Sequence, residues 1–293
     1  MQSEQLIPIR EVTQQTGVNP VTLRAWERRY GLIVPQRTGK GHRLYSPADV
    51  QRIRNILHWL NLGVAVGQVK GLLDNAPCET TVSTDNEWSM ARRHLIDAIA
   101  NLAEARLEQK LNQAMALYPA ATLCDQLLMP LLNDLERRWQ QQFAAHLERV
   151  FFYSWLRSKL GARVYHNNHQ LNGAPLLVVN GTQMAFDPQL WLCAWLVSDG
   201  GCQVQVLDWV PAANELSIAV ARIQPRALLL CLGQTVNLRQ LQLSLASIDI
   251  PKLVSGNAVS IHRDALEAGS HADLYLFDSP VDVLNGLQRL HLL

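Results

Sequence analysis

Apolar residues recur along the first 75 positions with a helical period, broken by short polar turns. Ile9, Val12 and Thr16 fall on one side of a short helix over residues 8–18, where Gly17 permits a reversal. Leu23, Trp26 and Tyr30 repeat the period in a second helix. Its ends are marked by Asn19 as N-cap, Pro20 as first helical residue and Gly31 as left-handed stop. Arg24 and Arg28 are four apart and share a different face. Gly39 and Gly41, set between short extended runs, predict a hairpin over 36–45. Ser46, Pro47 and Asp49 then open a third helix with a capping-box pattern. Val50, Ile53, Ile56, Leu57 and Leu60 give that helix its stripe, and a fourth follows over 66–73.

Beyond residue 75 the pattern changes twice. Residues 76–86 are polar, β-branched and aperiodic, which predicts a linker. Residues 87–165 contain little Gly or Pro. They carry stripes at Leu95, Ile99 and Leu102, then at Leu107, Leu111, Met115 and Leu117. A third helix is expected over 121–142, bent at Pro130, and a fourth over 143–160, making a four-helix bundle. From 174 onward, apolar runs alternate with helical periods. Strands are expected at 174–181, 203–209, 227–233, 252–255 and 274–277, and helices at 188–199, 212–223, 237–247, 262–268 and 281–290. Five such units predict a parallel, Rossmann-like (flavodoxin-like) sheet wrapped by helices. The fold class is therefore multidomain α and α/β: a winged helix-turn-helix head over 1–75, a bundle over 87–170 and an α/β domain over 171–293.

Charge sharpens this division. The 293 residues carry a net charge of only +1, but residues 1–75 hold ten Lys/Arg against five Asp/Glu, an excess of +5. The remainder holds sixteen against twenty, or −4. A basic head on a mildly acidic body is the distribution of a DNA-binding protein. Because +5 is a modest excess, two heads acting together are expected, and a homodimer on a dyad site doubles the phosphate contacts. The five cysteines, Cys78, Cys124, Cys193, Cys202 and Cys231, form no C-x-x-C pair and read as buried thiols in a reducing compartment. The first residues lack a basic start and an apolar core, and no apolar run reaches membrane-spanning length, so a cytoplasmic protein is expected.

The second helix and the hairpin carry the chemistry. A short helix with an arginine face is shaped for a DNA groove. Arg37, Lys40, His42, Arg43 and Tyr45 on the hairpin are suited to hold phosphates. The run Thr22-Leu23-Arg24-Ala25-Trp26-Glu27-Arg28-Arg29-Tyr30-Gly31, then Pro35-x-Arg37-Thr38 and Gly41-His42-Arg43-Leu44-Tyr45, resembles the DNA-binding domain of the MerR family. It is most similar to the subgroup whose effector half is built like a cobalamin-binding module. The resemblance covers roughly the first 75 residues densely. It implies DNA contacts from Thr22, Arg24, Arg28, Tyr30, Arg37, His42, Arg43 and Tyr45, with Asn19 at the helix start. It also implies a dimer that distorts a pseudo-palindromic promoter so that RNA polymerase can engage it.

The effector half departs from that subgroup. There, the resemblance implies a tryptophan over the upper face of the cofactor and a Glu-His pair on the next helix. Trp139 stands at the first place, but the same spacing reaches Arg149 and Val150 instead of Glu-His. The subgroup's axial-ligand signature, an acid, a His and a Gly after the first strand, falls on Met184-Ala185-Phe186-Asp187-Pro188-Gln189. No histidine lies between His169 and His262, so the fold is expected without the usual cobalamin chemistry. The alternative that the resemblance leaves is a cobalamin- or light-responsive sensor regulator that binds cobalamin without the usual histidine ligand. His146, His166 and His169 lack metal-ligand spacing. Met184, Phe186, Trp191, Trp195 and Trp209 are aromatic-rich, and Trp139, Met184, Phe186 and Trp191 form the candidate pocket, with simple core packing as the competing role. Three uses of this half stay open: small-molecule binding without axial ligation, a platform for a signalling protein, or a dimerisation body. No nucleophile elbow, P-loop, G-x-G-x-x-G or metal-ligand spacing is present, and an enzyme is not expected.

Overall fold

In a computed structural model of the chain, residues 6–74, 85–141, 145–182, 186–211, 215–233, 237–268 and 273–293 are described. By Cα proximity the chain forms two compact units, Met1–Arg149 and Val150–Leu293.

The first unit begins with β1 (Ile7–Pro8) and α1 (Ile9–Thr16). Pro8, expected to start the helix, instead ends a two-residue strand and sits at the N-cap of α1. A strand of two residues has no periodicity to read, and proline is tolerated at a sheet edge. Gly17 takes φ 70° and returns its N–H to the Thr13 carbonyl. The second helix expected from the sequence is α2 (Pro20–Ala25) continued by a π turn, Trp26–Tyr30, and the two together are called the recognition segment after the helix-turn-helix pattern. Asn19 Oδ1 accepts from the N–H groups of Val21 (3.0 Å) and Thr22 (2.9 Å), and Gly31 closes the segment at φ 58°. Strands β2 (Gln36–Arg37) and β3 (Arg43–Tyr45) form the hairpin. With β1 they make an antiparallel sheet in the order β1-β3-β2, pairing Ile7 with Tyr45 and Arg37 with Arg43. Helix α3 (Pro47–Asn61) has the full capping box, in which Asp49 N–H donates to Ser46 Oγ and Ser46 N–H to Asp49 Oδ2. Helix α4 (Val66–Asp74) completes the head. Val12, Leu23, Trp26, Ile53, Ile56 and Leu60 are fully buried and form its core.

The bundle helices of this unit are α5 (Asp85–Ala100), α6 (Glu104–Leu117), α7 (Ala120–Leu123), a π turn at Cys124–Leu128, and α8 (Met129–Gln141). A π turn lies just ahead of Pro130, where a bend was expected; the missing N–H of Pro130 leaves the preceding turn free to widen. Leu95, Ile99, Leu107, Leu111 and Met115 are buried as expected, whereas Leu102 is exposed and takes φ 51° in the turn between α5 and α6. Of the expected linker 76–86, only 85 and 86 lie among the described residues, and they begin α5. The head packs directly on these helices. Trp88 donates its indole N–H to the Gly63 carbonyl (2.8 Å), Tyr118 Oη accepts from Val66 N–H (3.3 Å), and Thr122 bonds Asn61 (2.9 Å).

The helix α9 (Ala145–Asn168) runs eight residues beyond the expected end at 160. It carries Gly161 on the side that meets Trp191, whose ring would lie 3.5 Å from a Cβ there. The second unit continues with β4 (Leu176–Asn180), α10 (Pro188–Asp199), β5 (Val204–Leu207), α11 (Leu216–Ile223) and β6 (Ala227–Cys231). It ends with α12 (Leu238–Ala246), β7 (Lys252–Ser255), α13 (Asn257–Ala268), β8 (Leu274–Phe277) and α14 (Pro280–Arg289). All five strands are parallel, in the order β5-β4-β6-β7-β8. Counted within the domain this is 2-1-3-4-5, the flavodoxin-like order expected from the sequence. Every residue of β4, β6 and β7 is buried, as strands covered on both faces must be. Leu177, Val179, Leu228, Leu230 and Val254 pack with Leu216, Leu245 and Ile248 on one face, and α10 lies beside α14. The shorter β5 ends at Leu207, leaving Trp209 outside the strand and 71% exposed. No helix among the described residues is long and apolar enough to cross a membrane.

Candidate nucleic-acid interface

The recognition segment presents its cations because its apolar side chains are occupied elsewhere. Leu23 and Trp26 face the core, which leaves Arg24, Arg28 and Arg29 exposed along the opposite surface. Tyr30, expected on the inward stripe, is only half-buried. Lys40 and His42 are exposed at the tip of the hairpin. The tip is held by Thr38 N–H donating to the His42 carbonyl (2.9 Å) and Gly41 N–H to the Thr38 carbonyl (2.8 Å), with Gly41 at φ 83°.

Two expected contact residues are not at the surface. Thr22 and Tyr45 are both fully buried, and Thr22 Oγ1 and Tyr45 Oη have no hydrogen-bond partner among the described residues. Their positions explain this: Thr22 follows the N-cap on the inward side of α2, and Tyr45 pairs with Ile7 in the middle strand of the sheet. Burial raises the Tyr45 phenol, and nearby Glu27 adds to the rise.

Arg37 and Arg43 have a partner that the sequence reading passed over. Glu27, on the π turn, accepts from Arg37 Nη2 through Oε1 (2.8 Å) and from Arg43 Nε through Oε2. Partial burial pushes the Glu27 carboxyl up, but the Arg43 and Arg37 guanidiniums outweigh it and hold the group below its ordinary value. The same contact raises Arg43. Arg43 is 18% exposed and Arg37 51%, so Arg37 retains a face for solvent or phosphate while Arg43 is chiefly a strut. Glu27 was findable: it is the single acid between Arg24 and Arg43.

The candidate pocket residues are divided between the two compact units. Trp139, in the first unit, is 9% exposed; its indole N–H donates to Glu148 (3.3 Å), and the Arg149 guanidinium lies 6.0 Å from its ring centroid. Glu148 also accepts from Arg138 (3.1 Å), and that guanidinium holds its carboxyl low. In the second unit Phe186 is buried, with its ring 5.1 Å from that of Tyr153, and Trp191 donates to Asp208 (3.1 Å). Met184 lies outside the described residues. Trp195 is 4% exposed and Trp209 stands in solvent.

Polar groups also gather at the carboxyl ends of β4, β5 and β7. Asn180 donates to the Asp208 carbonyl (2.8 Å) and accepts from Thr182 N–H (2.8 Å), while Arg157 pairs with Asp208 (2.6 Å). Asp187 caps α10 through Gln189 N–H (2.9 Å). Burial pushes its carboxyl up to about 6, against the pull of the Gln189 and Leu190 amides, and Asp208 adds to the rise. Ser255 Oγ and Gln189 Oε1 are buried with no hydrogen-bond partner among the described residues. A separate cavity of about 420 Å³ lies along β8, lined by Arg263, Glu267, Tyr275, Phe277 and Arg289, and contains none of the expected pocket residues. Among the described residues no three His, Cys, Asp or Glu side chains are placed to hold a metal ion.

Comparison with known proteins adds the following. A family model described as MerR HTH family regulatory protein matches residues 7–76, and one described as B12 binding domain matches residues 91–163. The HTH-type transcriptional regulator MlrA of Escherichia coli (strain K12) is 36% identical over 204 residues, covering 69% of this chain and 79% of that protein. The HTH-type transcriptional repressor CarH of Myxococcus xanthus is 29% identical over 147 residues, 47% of this chain and 49% of that protein. The mercuric resistance operon regulatory protein of Bacillus cereus is 36% identical over 75 residues, 24% of this chain and 57% of that protein.

Proposed function

Since the chain belongs to the MerR family of helix-turn-helix transcriptional regulators, we propose that it docks the Pro20–Tyr30 segment in the major groove of a pseudo-palindromic promoter, as a homodimer, and distorts the duplex for RNA polymerase. The observation that carries this reading is the pairing of an N-capped segment exposing Arg24 and Arg28 with a hairpin exposing Lys40 and His42. Residues 1–75 serve as the DNA-binding domain, with Arg24 and Arg28 facing base edges and the hairpin facing phosphates. Asn19 organises the helix start and Tyr30 flanks its end. The test uses the full chain and a pool of randomised duplexes at low ionic strength. Selection should return a dyad-symmetric sequence bound two chains at a time, with affinity falling steeply as salt rises. Failure to bind any duplex at low salt overturns the proposal.

We also propose that the effector half works without cobalamin. The residues at the expected ligand position do not fit cobalt: Phe186 has no donor atom and packs on Tyr153, and Asp187 is engaged as a helix cap. Around Trp139, the indole N–H is taken by Glu148 and Arg149 lies over the ring. With cobalamin set aside, we read this half as a docking or dimerisation body that takes its signal from a partner protein. Mixing the full chain with adenosylcobalamin, removing free ligand and recording the visible spectrum should show no retained colour. A stoichiometric red complex would favour the alternative, cobalamin held without a histidine ligand.

A further inference from the structure

We infer that Glu27 is a positioning residue for DNA docking, holding the hairpin in register with the recognition segment through its two arginine contacts; the inference rests on the DNA-binding reading above. Arg37 and Arg43 are directly paired across β2 and β3, one on each strand of the hairpin. Glu27 receives both, one on each carboxylate oxygen. A single side chain therefore fixes both strands against the π turn that ends the segment carrying Arg24 and Arg28. The Glu27 side chain is only 15% exposed, so the pair of contacts is sheltered from the screening that weakens open surface ion pairs. The hairpin has few other means of keeping its angle. Its strands are two and three residues long, and β2 forms one edge of a three-stranded sheet.

The role has a signature opposite in sign to that of a bystander charge. A carboxylate beside a DNA-binding surface repels phosphate, so removing it raises affinity for every duplex if charge is all that matters. If Glu27 sets the angle of the hairpin, removing it costs affinity for the operator even though the surface becomes more positive.

The full chain with Glu27→Gln and with Glu27→Asp separates the two effects. The first keeps the shape and removes the charge; the second keeps the charge and shortens the reach. Affinities are measured for the duplex recovered by selection and for a scrambled duplex of equal length, over a range of salt. Both variants should bind the selected duplex about tenfold or more weaker than wild type. On the scrambled duplex Glu27→Asp should match wild type and Glu27→Gln should bind somewhat tighter. Amide exchange at Thr38 and Gly41 should be faster in both variants, while that of α3 is unchanged. This readout holds even if one variant is too unstable for titration. Operator binding by Glu27→Gln equal to or tighter than wild type, or unaltered exchange in the hairpin, overturns the inference alone. A wild-type chain that binds neither duplex overturns the DNA-binding reading, and this inference with it.

Discussion

The indole N–H of Trp26 donates to the backbone carbonyl of Leu117 over 2.9 Å, joining the recognition segment to the last turn of α6 across 91 positions of sequence. Trp26 is fully buried, so the bond lies behind the surface that carries Arg24 and Arg28. The bond therefore ties the Trp26–Tyr30 turn to the end of α6. Trp26→Phe keeps an aromatic ring but removes the donor, leaving the Leu117 carbonyl without this partner. The full chain should lose about 1–2 kcal/mol of stability, read as a lower midpoint in urea. An unchanged midpoint would show that the bond contributes nothing to holding head and bundle together.

Arg24 is exposed, and no acidic partner is seen for it among the described residues, unlike Arg37 and Arg43. Arg24→Ala should therefore leave folding intact and weaken the selected duplex by about 1–3 kcal/mol, the worth of a good bidentate base contact. Binding to a scrambled duplex should change little. Gel-shift titration of both duplexes distinguishes this from a phosphate contact, which would weaken the two alike.

Asp187 makes the second unit sensitive to pH in a definite direction. Its carboxyl is raised from 3.8 to about 6, so the folded chain keeps this proton after the unfolded chain has lost it. Stability then falls as pH rises between these values and stays low above them. Asp187→Asn can still cap α10 and carries no charge to bury. It should stabilise the chain at neutral pH by roughly 1–3 kcal/mol and lose that advantage below about pH 4. Thermal melts of both proteins across this range give the answer, and a variant less stable than wild type at neutral pH would contradict the assignment.

Gly256 sits at φ 113°, and a Cβ there would lie 2.3 Å from the Leu232 carbonyl oxygen. Gly256→Ala meets both an unfavourable backbone conformation and a backbone obstacle that cannot rotate away. A loss of at least about 2 kcal/mol is expected, with the β6 and β7 strand ends displaced. Hydrogen exchange at Leu232, whose N–H donates to the Ser255 carbonyl (2.8 Å), monitors the site directly.

The head was readable in advance where local chemistry decides the outcome. Asn19, Pro20, Gly31, Ser46 and Asp49 act within a few residues of themselves, so caps and helix ends follow from order along the chain. The parallel sheet was readable for a related reason: apolar runs such as residues 227–231 cannot be solvated on either face. Period alone could not say which oxygen a hydroxyl meets or how deep a strand sits. Thr22, a contact candidate by family resemblance, and Tyr45, one by resemblance and hairpin composition, are both buried, and the sheet that pairs Tyr45 with Ile7 accounts for one of them.

Sequence by itself determined the longer helices, the five-strand alternation and the concentration of cations in the first 75 residues, because each depends on spacing or composition. Only the tertiary structure decided that Glu27 gathers Arg37 and Arg43, that Trp26 reaches Leu117, and that Asn180, Asp208 and Arg157 meet at the strand ends. Each of these joins residues distant in the chain, where distance in space is set by packing and not by local propensity.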